Sequence, residues 1–599
     1  MERLKNLYRA IGAMLAALLL TSSCAFAADD GLVNAAPDAP ESSFSYWISR
    51  GDDVSYYEAY QQNPGVEYLM TKAWGPNQTR LSFDFRVPIM GSEQDNFNTM
   101  LATGDYTDVM ELTYYNDSVI ELYEDGIILD LTPYVEQYMP NYMAWLDAHP
   151  DYKQTATNVV DGQPKFLQLY SYYEGVNDPW CGWCYRRDWI IQFGKRPDGS
   201  SFTGGFTKTL VDGTPDENSW TDDVVFPSGE TYPKLISDWE WMLGIFKTAI
   251  DTLGIEDGYG MSVFYPGFIA SGDLITGFNS AGTWYKGLDG KIQYGLTGGG
   301  FRAYLQCFST WFKNGWVDAA FTEHTGEMFW RTDEAKVRQG KVGLWYGLEA
   351  QLLNRMDDGE GLKKGVVVFA APNPINDVYG SASERNVIPR TMFLASLEGQ
   401  ATVVTDKAKD KDLAALFTFL DWQFSREGAK LKILGLSKEQ YEETRNELYT
   451  RLGFTEGAYY ANQTPDGELY KLLPEIEADD RLANAVRPIR FFWLDATATL
   501  TIPNEGMKAD QQRVWLTYSN TGTLNTSFIK QLSPADTNLY SKVNTQVTEF
   551  ANKHVPDFIM GGKDPFSDKD WDAWVKAVNK YKPDQVTQAL QTLLEQLSQ

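Results

Sequence analysis

The sequence predicts an α/β fold divided into two or more lobes. The chain has 599 residues, which is more than one hydrophobic core normally accommodates. Segments of alternating apolar residues, such as 44–48 and 81–87, take turns with segments of helical spacing, such as 93–102. This alternation is typical of parallel sheets covered by helices, in which ligands bind beyond the carboxyl ends of the strands.

Residues 1–27 have the pattern of a signal peptide. Three basic residues within the first nine precede the apolar run 11–20, and most of the residues from 21 to 27 are small. Two cleavage positions fit the pattern: after Ala27, or before Cys24, whose thiol would then carry a lipid anchor. Because the apolar run is too short to span a membrane, we predict an exported protein, either periplasmic or lipid-anchored at the outer face of the cell membrane.

The charge and the aromatic content limit the class of ligand. A formal net charge of -29 disfavours nucleic acid as a partner. The chain contains 19 Trp and 34 Tyr, which form either a large aromatic core or, in part, the lining of a cleft where flat rings cover sugar faces. With three His, widely spaced, neither a His-based metal site nor a Ser-His-Asp triad is supported.

The first part of the chain predicts a tether followed by alternating elements. Residues 28–43 are rich in Ala, Pro, Asp and Ser and are predicted to be flexible. Three strands and two helices are then predicted, in the order 44–48, 81–87, 93–102, 108–112 and 117–124. Asn116 is the predicted N-cap of the last of these helices.

The rest of the chain continues the alternation. Residues 194–233 are predicted to form a long loop or a hairpin insertion, and Ser237 is the predicted N-cap of a helix over 238–253, with Glu240 completing a capping box. The further predicted strands and helices are 341–346, 348–355, 365–369, 392–396, 401–405, 413–424, 568–581 and 583–597.

The segment 170–189 contains the sequence W-C-G-W-C, for which three interpretations remain open. It is a redox centre, a structural disulfide, or a buried strand with two thiols. If the segment is extended, Cys181 and Cys184 lie roughly 10 Å apart, whereas a disulfide needs less than about 7 Å. Buried thiols are therefore favoured for both, and for Cys307 as well.

Five motifs are distributed along the chain: G-D-Y-T-D-V-M at 104–110, D-G-I-I-L-D-L-T-P-Y at 125–134, Y-R-R-D-W at 185–189, K-V-G-L-W at 341–345 and D-K-D-W-D-A-W-V-K at 568–576. In this order they resemble the extracellular solute-binding proteins of bacterial ABC sugar importers, in particular a long, lipoprotein-type subfamily. Thr107 replaces the proline that is usual in the first motif. Some relatives carry a calcium loop of the D-x-N-x-D-G type, which has no counterpart in this sequence.

The resemblance implies a two-lobe, periplasmic-binding-protein-like fold of type II, with a hinge and an interlobe cleft that closes on a carbohydrate. By analogy with long family members, this carbohydrate is expected to be an oligosaccharide. The resemblance also implies a monomer, with no catalytic activity, cofactor or metal, that delivers its ligand to membrane permease subunits. The implied boundaries are 44–165 and 385–430 for the first lobe, and 166–384 and 431–599 for the second.

Sugar recognition needs apolar ring faces and fixed polar groups at the strand ends. The candidate ligand-binding residues are Trp47, Tyr114, Tyr115 and Asn116 in the first lobe, Tyr173, Trp180, Trp284, Trp345, Tyr346 and Glu349 in the second, and Arg385 near a predicted lobe crossing. Trp345 and Tyr346 lead, because they lie between a predicted strand end and a helix start. We expect Trp345→Ala to weaken sugar binding by at least tenfold, about 1.4 kcal/mol, without unfolding the protein. The alternative function is an exported glycoside hydrolase, for which no local signature is present.

Overall fold

The structure is a computed structural model, and its described part excludes the first 31 residues and several internal segments. The described residues are 32–49, 56–89, 92–115, 117–175, 177–262, 271–287, 289–323, 334–354, 360–380, 401–465, 467–477, 479–488, 491–516, 526–529 and 531–597. The predicted signal peptide, Cys24, Asn116, Arg385 and the predicted strand 392–396 lie outside them.

The chain divides into two compact units, each formed by separate stretches of sequence. Unit 1 contains residues 1–111, 131–148 and 404–496, and unit 2 contains 112–130, 149–403 and 497–599. Both units combine helices and strands, which confirms the predicted α/β class.

Unit 1 is built on a five-stranded sheet with helices. Its strand order is Thr402–Val404, Val109–Glu111, Glu41–Trp47, Thr79–Arg86 and Ala73–Trp74. Strand Glu41–Trp47 runs parallel to both of its neighbours. Alternate residues such as Phe44 and Tyr46 are buried, as the alternating pattern predicted. A second, two-stranded ribbon pairs Tyr459–Thr464 with Gly467–Leu472. The helices of unit 1 are Pro64–Met70, Glu93–Thr103, Thr132–Tyr138, Pro140–Ala148, Leu413–Trp422, Arg426–Leu434, Lys438–Thr444, Glu447–Leu452, Pro474–Glu477 and Asp480–Val486.

Unit 2 is built on a four-stranded sheet of mixed direction. Its strand order is Tyr259–Met261, Val342–Leu348, Cys181–Arg186 and Val368–Ala371. Strand Cys181–Arg186 is antiparallel to both neighbours and is buried along its whole length. The remaining short strands of unit 2 are Asn158–Val160, Gln163–Lys165, Tyr172–Tyr173, Gly204–Phe206, Trp220–Asp222, Trp284–Lys286 and Ile292–Tyr294.

The helices of unit 2 include long C-terminal ones that close its hydrophobic core. They are Val119–Glu124, Pro150–Ala156, Arg187–Phe193, Ile236–Leu253, Gly299–Lys313, Glu334–Arg338, Thr497–Leu500, Met507–Val514, Thr526–Ile529, Pro534–Ile559, Asp568–Asn579 and Pro583–Leu597. The last two agree with the predicted amphipathic segments, and their apolar residues, such as Trp574 and Leu590, join the same core as the central sheet.

Two predicted helix caps are wrong, and the structure shows what replaces them. The helix predicted at 117–124 begins at Val119, with Ser118 as the N-cap accepting from the amide of Ile120. Ser237 is not the N-cap of the next helix, which spans Ile236–Leu253 with Leu235 at the N-cap position. The carboxylate of Asp238 accepts from the amide of Leu235 at 2.9 Å. Glu240 instead accepts from the indole of Trp311 at 3.0 Å. Sequence spacing alone does not distinguish a capping carboxylate from one used in tertiary contacts.

Two further segments differ from their predictions. The helix predicted from residue 348 is only the short 3-10 turn Glu349–Gln351 in the described residues, because Gln351 folds back onto Trp345. The predicted tether is attached to unit 1 from residue 32 onward. There the carbonyl of Val33 accepts from Ala73, and strand Glu41–Trp47 has already begun at Glu41.

The unit boundaries also differ from those that the resemblance implies. Residues 431–496 belong to unit 1, where Phe491 packs against Tyr46, Phe83 and Phe419. Residues 112–130 belong to unit 2, where Ser118 donates to the carbonyl of Leu532. Within the described residues, none of the helices is both long and apolar enough to cross a bilayer.

Candidate functional site

One edge of the unit 2 sheet, formed by the ends of its strands, brings together four of the six candidates predicted for the second lobe: Trp180, Trp345, Tyr346 and Glu349. Strands Val342–Leu348 and Val368–Ala371 end at this edge, and the antiparallel strand Cys181–Arg186 begins there, with Leu348 opposite Cys181 and Ala371 opposite Trp183. We call it the unit 2 edge. The ends of several strands therefore present loop residues side by side, as ligand sites in α/β sheets require.

Trp180 and Glu349 are adjacent at the unit 2 edge. The amide of Glu349 donates to the carbonyl of Trp180 at 3.0 Å, which joins the start of one strand to the end of the next. The Trp180 side chain is 46% exposed, and Glu349 is half-buried. A flat apolar ring beside a carboxylate is the pairing that covers C–H surface and accepts from hydroxyl groups.

The two leading candidates, Trp345 and Tyr346, lie below this surface. Trp345 is 2% exposed, and its indole donates to Oε1 of Gln351 at 2.7 Å. A Cβ at Gly347 would lie 1.9 Å from that same oxygen, so only glycine allows the bond. Tyr346 packs edge-on against Trp183, with ring centroids 5.3 Å apart. Both aromatic residues therefore support the edge from within the core.

Sequence reasoning missed a helix that is attached to the unit 2 edge. Helix Met507–Val514 and the residue after it contact the segment 178–183 at three points. Gln512 donates to the carbonyl of Pro179 at 3.1 Å, Arg513 forms an ion pair with Asp178 at 3.2 Å, and the indole of Trp515 donates to the carbonyl of Trp183 at 2.7 Å.

Gly182 makes the close approach of Trp515 possible. A Cβ on Gly182 would lie 2.5 Å from three atoms of the Trp515 ring, which is closer than any side chain tolerates. The one available signal in the sequence was a glycine between buried residues of a strand, which often marks the approach of another group. The identity of that group was not predictable, because it lies more than 300 residues away along the chain.

Trp284 and Tyr173 are placed elsewhere in unit 2. Trp284 is buried, its indole donates to Oγ1 of Thr587 at 3.0 Å, and its ring packs on Tyr294 and Tyr540. It therefore belongs to the core under the C-terminal helices. Tyr173 is half-buried in the short strand Tyr172–Tyr173.

Trp47 and Glu111 lie where the parallel strands of unit 1 end. Trp47 is buried and packs against Phe97, with ring centroids 6.0 Å apart. Glu111, which sequence reasoning did not select, accepts from the amide of Ser49 at 2.8 Å. Its position as the last residue of a strand was the signal that could have identified it.

Tyr114 and Tyr115 follow Glu111 in the chain. Tyr114 is half-buried, whereas Tyr115 is buried and its hydroxyl donates to the carbonyl of Ser118 at 3.1 Å. Burial, together with the nearby carboxylate of Asp117, raises the pKa of Tyr115 well above its usual value. Tyr115 is therefore a structural hydroxyl, and Tyr114 is the more accessible of the two.

The cysteines of the segment 170–189 are buried thiols. Cys181, Cys184 and Cys307 are buried and none of them forms a disulfide, in agreement with the favoured interpretation. The adjoining arginines are held in ion pairs. Arg186 contacts Asp188, and Arg187 contacts Asp222, each through two nitrogen–oxygen bonds of 2.6 and 2.9 Å. Among the residues that the structure describes, no group of three or more His, Cys, Asp or Glu is placed to hold a metal.

No protein-family model matches the chain, and no curated protein matches it. Solved structures are similar to it over nearly the whole length. One is the alginate-binding protein AlgQ2, in a structure without calcium ion, which is 16% identical in sequence with a TM-score of 0.59. The match covers 93% of this chain and 98% of the AlgQ2 chain. Another is FusA, an ABC-transporter substrate-binding protein of S. pneumoniae in complex with kestose, which is 14% identical with a TM-score of 0.61. This match covers 93% of this chain and 99% of the FusA chain.

A third similar structure is an extracellular solute-binding protein from Bifidobacterium longum subsp. infantis. It is 12% identical, has a TM-score of 0.63 and covers 95% of this chain and 100% of its own. The chain has the α/β fold of solute-binding proteins. At these identities the similarity establishes the fold, so the ligand has to be argued from the residues of the chain itself.

Proposed function

We propose that the chain is the substrate-binding component of an ABC importer and captures an oligosaccharide. The exposed indole of Trp180 beside Glu349, at the edge of the unit 2 sheet, is the observation that carries the proposal. The shared fold supports it, because FusA is described in complex with kestose, and a similar solute-binding protein from B. longum infantis, with a TM-score of 0.61, is described as HMO binding.

The residues of the unit 2 edge suit a sugar ring. The Trp180 face would cover the C–H surface of one sugar, and the Glu349 carboxylate would accept hydrogen bonds from neighbouring hydroxyl groups. Asp178 and Arg513 neutralise each other at 3.2 Å, so this ion pair adds no net charge beside the ring. These features favour a glycan with many hydroxyl groups over a strongly anionic ligand.

The proposal includes export and a membrane partner. The signal-peptide pattern of residues 1–27 supports an extracytoplasmic location, with a lipid anchor if cleavage precedes Cys24. The ligand-loaded protein would then act as a monomer that delivers the glycan to permease subunits. Mass spectrometry of the mature protein distinguishes the two cleavage positions by the new N-terminal residue and by the mass of an attached lipid.

A panel of glycans, measured by thermal shift, tests the function. A bound oligosaccharide at one hundred times its dissociation constant stabilises the folded state by about 2.7 kcal/mol, which raises the melting temperature measurably. A reducing-sugar assay on each stabilising glycan then separates binding from hydrolysis. Stabilisation without product supports the importer component. Product formation supports the alternative of a glycoside hydrolase, and a panel with no stabilising glycan contradicts both.

A further inference from the structure

Unit 1 contains a cavity that the proposed function does not use. It has a volume of about 330 Å³ and lies between helix Leu413–Trp422, the start of helix Pro140–Ala148 and the turn after Trp74. We call it the Trp74 pocket. None of the residues at the unit 2 edge contributes to it. Two buried polar groups in its wall indicate the kind of ligand.

The first group is the carboxylate of Asp421, which is 4% exposed. It accepts from the amide of Tyr142 at 2.9 Å and from Nδ2 of Asn141 at 2.8 Å, so it caps the first turn of helix Pro140–Ala148 from outside. A carboxylate has about four lone-pair positions, and these two bonds leave further ones for a ligand. Among the described residues it has no ion pair with Lys or Arg, and no cationic side chain lines the pocket.

The second group is the indole N–H of Trp422. The side chain is 6% exposed, and its nitrogen is buried without a hydrogen-bond acceptor in the described part of the chain. A buried donor left in this state costs free energy, so a ligand that supplies an acceptor is favoured. The neighbouring Trp74 packs edge-on against Trp422, and its own indole is already bonded to the carbonyl of Leu69 at 3.3 Å.

A tight turn at 75–78 forms another part of the wall. Gly75 has a φ of +67°, and a Cβ at this position would lie 2.8 Å from Cα of Ala415, so glycine is required on both counts. The carbonyl of Gly75 accepts from both the amide and Nε2 of Gln78, each at 3.2 Å. The turn therefore presents a fixed surface with an amide side chain at its rim.

We propose that the Trp74 pocket is a second binding site, which takes one small molecule with neighbouring hydroxyl groups, such as a single sugar ring or a polyol. A hydroxyl group both donates and accepts, so such a molecule satisfies the carboxylate and the indole together. An ammonium group could satisfy only the carboxylate. The volume is at the low end of the range of about 300–1,000 Å³ for ligand pockets, which suits one ring and not a chain.

The pocket is expected to bind less tightly in acid. Burial raises the pKa of Asp421 to about 6, and the hydrogen bonds from Tyr142 and Asn141 only partly oppose this. Asp421 is the sole titratable residue that lines the pocket among the described residues. Asp412, at the start of the same helix, is held by Thr79 and Asn77 and does not line it. As the pH falls through about 6, the carboxylate is protonated and loses acceptor capacity.

The test uses the full mature chain with glucose, N-acetylglucosamine and glycerol as probes, observed by ligand-detected NMR. Trp422→Phe keeps the aromatic ring and removes only the N–H, so we expect about fivefold weaker binding, as for the loss of one hydrogen bond. Asp421→Asn is the second variant, and binding of the probes should weaken by about tenfold or more. Circular dichroism of both variants checks that helix Pro140–Ala148 and the rest of the fold are retained.

Trp180→Ala separates this site from the proposed function: it should weaken oligosaccharide binding, whereas the loss of probe binding caused by Trp422→Phe should be the same with and without Trp180→Ala. Comparing an oligosaccharide with its terminal monosaccharide then shows whether the pocket takes the end of a glycan or a free small molecule. If none of the probes binds, or if Trp422→Phe binds them as wild type does, the proposal is overturned. Binding of methylammonium or potassium in place of the hydroxylated probes overturns it equally.

Discussion

Trp180 is the residue at which the largest effect on ligand binding is expected. Its ring is 46% exposed at a strand end, whereas the other predicted tryptophans are buried. Trp180→Ala removes a stacking surface without leaving a cavity, so we expect oligosaccharide affinity to fall about tenfold, equivalent to about 1.4 kcal/mol, with the melting temperature unchanged. Isothermal titration with the glycan found in the panel measures it.

Tyr460→Ala is a matched control for this substitution. Tyr460 is 42% exposed in the unit 1 ribbon, so its removal deletes a similar exposed ring away from the unit 2 edge. The affinity of the Tyr460→Ala variant for the glycan should equal that of the wild-type protein. Equal losses in both variants would mean that Trp180 has no specific role in binding.

Substitution of Trp345 is expected to lower stability, whereas its position in the sequence suggested an effect on sugar binding alone. Because it is 2% exposed and bonded to Gln351, Trp345→Ala leaves a cavity, and we expect it to lower the free energy of unfolding by about 3–5 kcal/mol. Trp345→Phe keeps most of the volume and loses the hydrogen bond, which costs about 1 kcal/mol. Urea denaturation measures both, and a fully stable Trp345→Ala variant would contradict the burial.

Titration of Asp421 makes the free energy of unfolding depend on pH, and comparison with Asp421→Asn isolates this contribution. Its pKa of about 6 in the folded state exceeds the ordinary value of 3.8, so the folded state binds more protons between these values. The stabilising contribution of the protonated group is therefore complete below about pH 4 and is lost as the pH rises through 6. Relative to Asp421→Asn, wild type should gain about 1–3 kcal/mol between pH 7 and pH 4.5. A difference in unfolding free energy that stays constant with pH would contradict this assignment.

At the scale of elements, the attachment of helix Met507–Val514 to strand Cys181–Arg186 depends on one glycine. Gly182→Ala places a methyl group 2.5 Å from the Trp515 ring, so the ring and the bond to the Trp183 carbonyl must shift. We expect a loss of about 1–3 kcal/mol in unfolding free energy, as for overpacking. The change should also appear in the tryptophan fluorescence of the folded protein.

Gly205→Ala provides the comparison for this element. Gly205 also lies in a strand of unit 2, Gly204–Phe206, but a Cβ there would meet no atom within 4 Å. Its stability and fluorescence should remain those of wild type. If Gly182→Ala behaves in the same way, Trp515 does not pack as the structure describes.

For the whole molecule, the three thiols report on the unfolding of unit 2. Cys181, Cys184 and Cys307 are fully buried in one hydrophobic core, and burial raises the pKa of Cys307 well above its usual value. We expect a thiol reagent such as DTNB to react with them only as fast as the unit unfolds, with rates that rise with urea. A thiol that reacts rapidly in the folded protein at neutral pH would support the redox interpretation.

The local sequence predicts the α/β class and the strands near 44–48, 81–87 and 108–112, and it favours buried thiols at Cys181 and Cys184. These follow from local periodicity and from the length of an extended residue, both of which are properties of a short segment. The sequence also placed Trp180 and Glu349 among the site candidates. Their adjacency required the pairing of strands that are far apart in the chain.

Which aromatic residue faces solvent depends on contacts between distant parts of the chain. Trp180 and Trp345 both occur at or near strand ends, yet one is exposed and the other is covered, because Gln351 folds back onto Trp345. Trp515 contacts a strand that lies 332 residues earlier, and the cap of helix Ile236–Leu253 is taken by Asp238 while Glu240 bonds to Trp311. Burial and partner choice are set by such distant contacts, and a local pattern of residues carries no record of them.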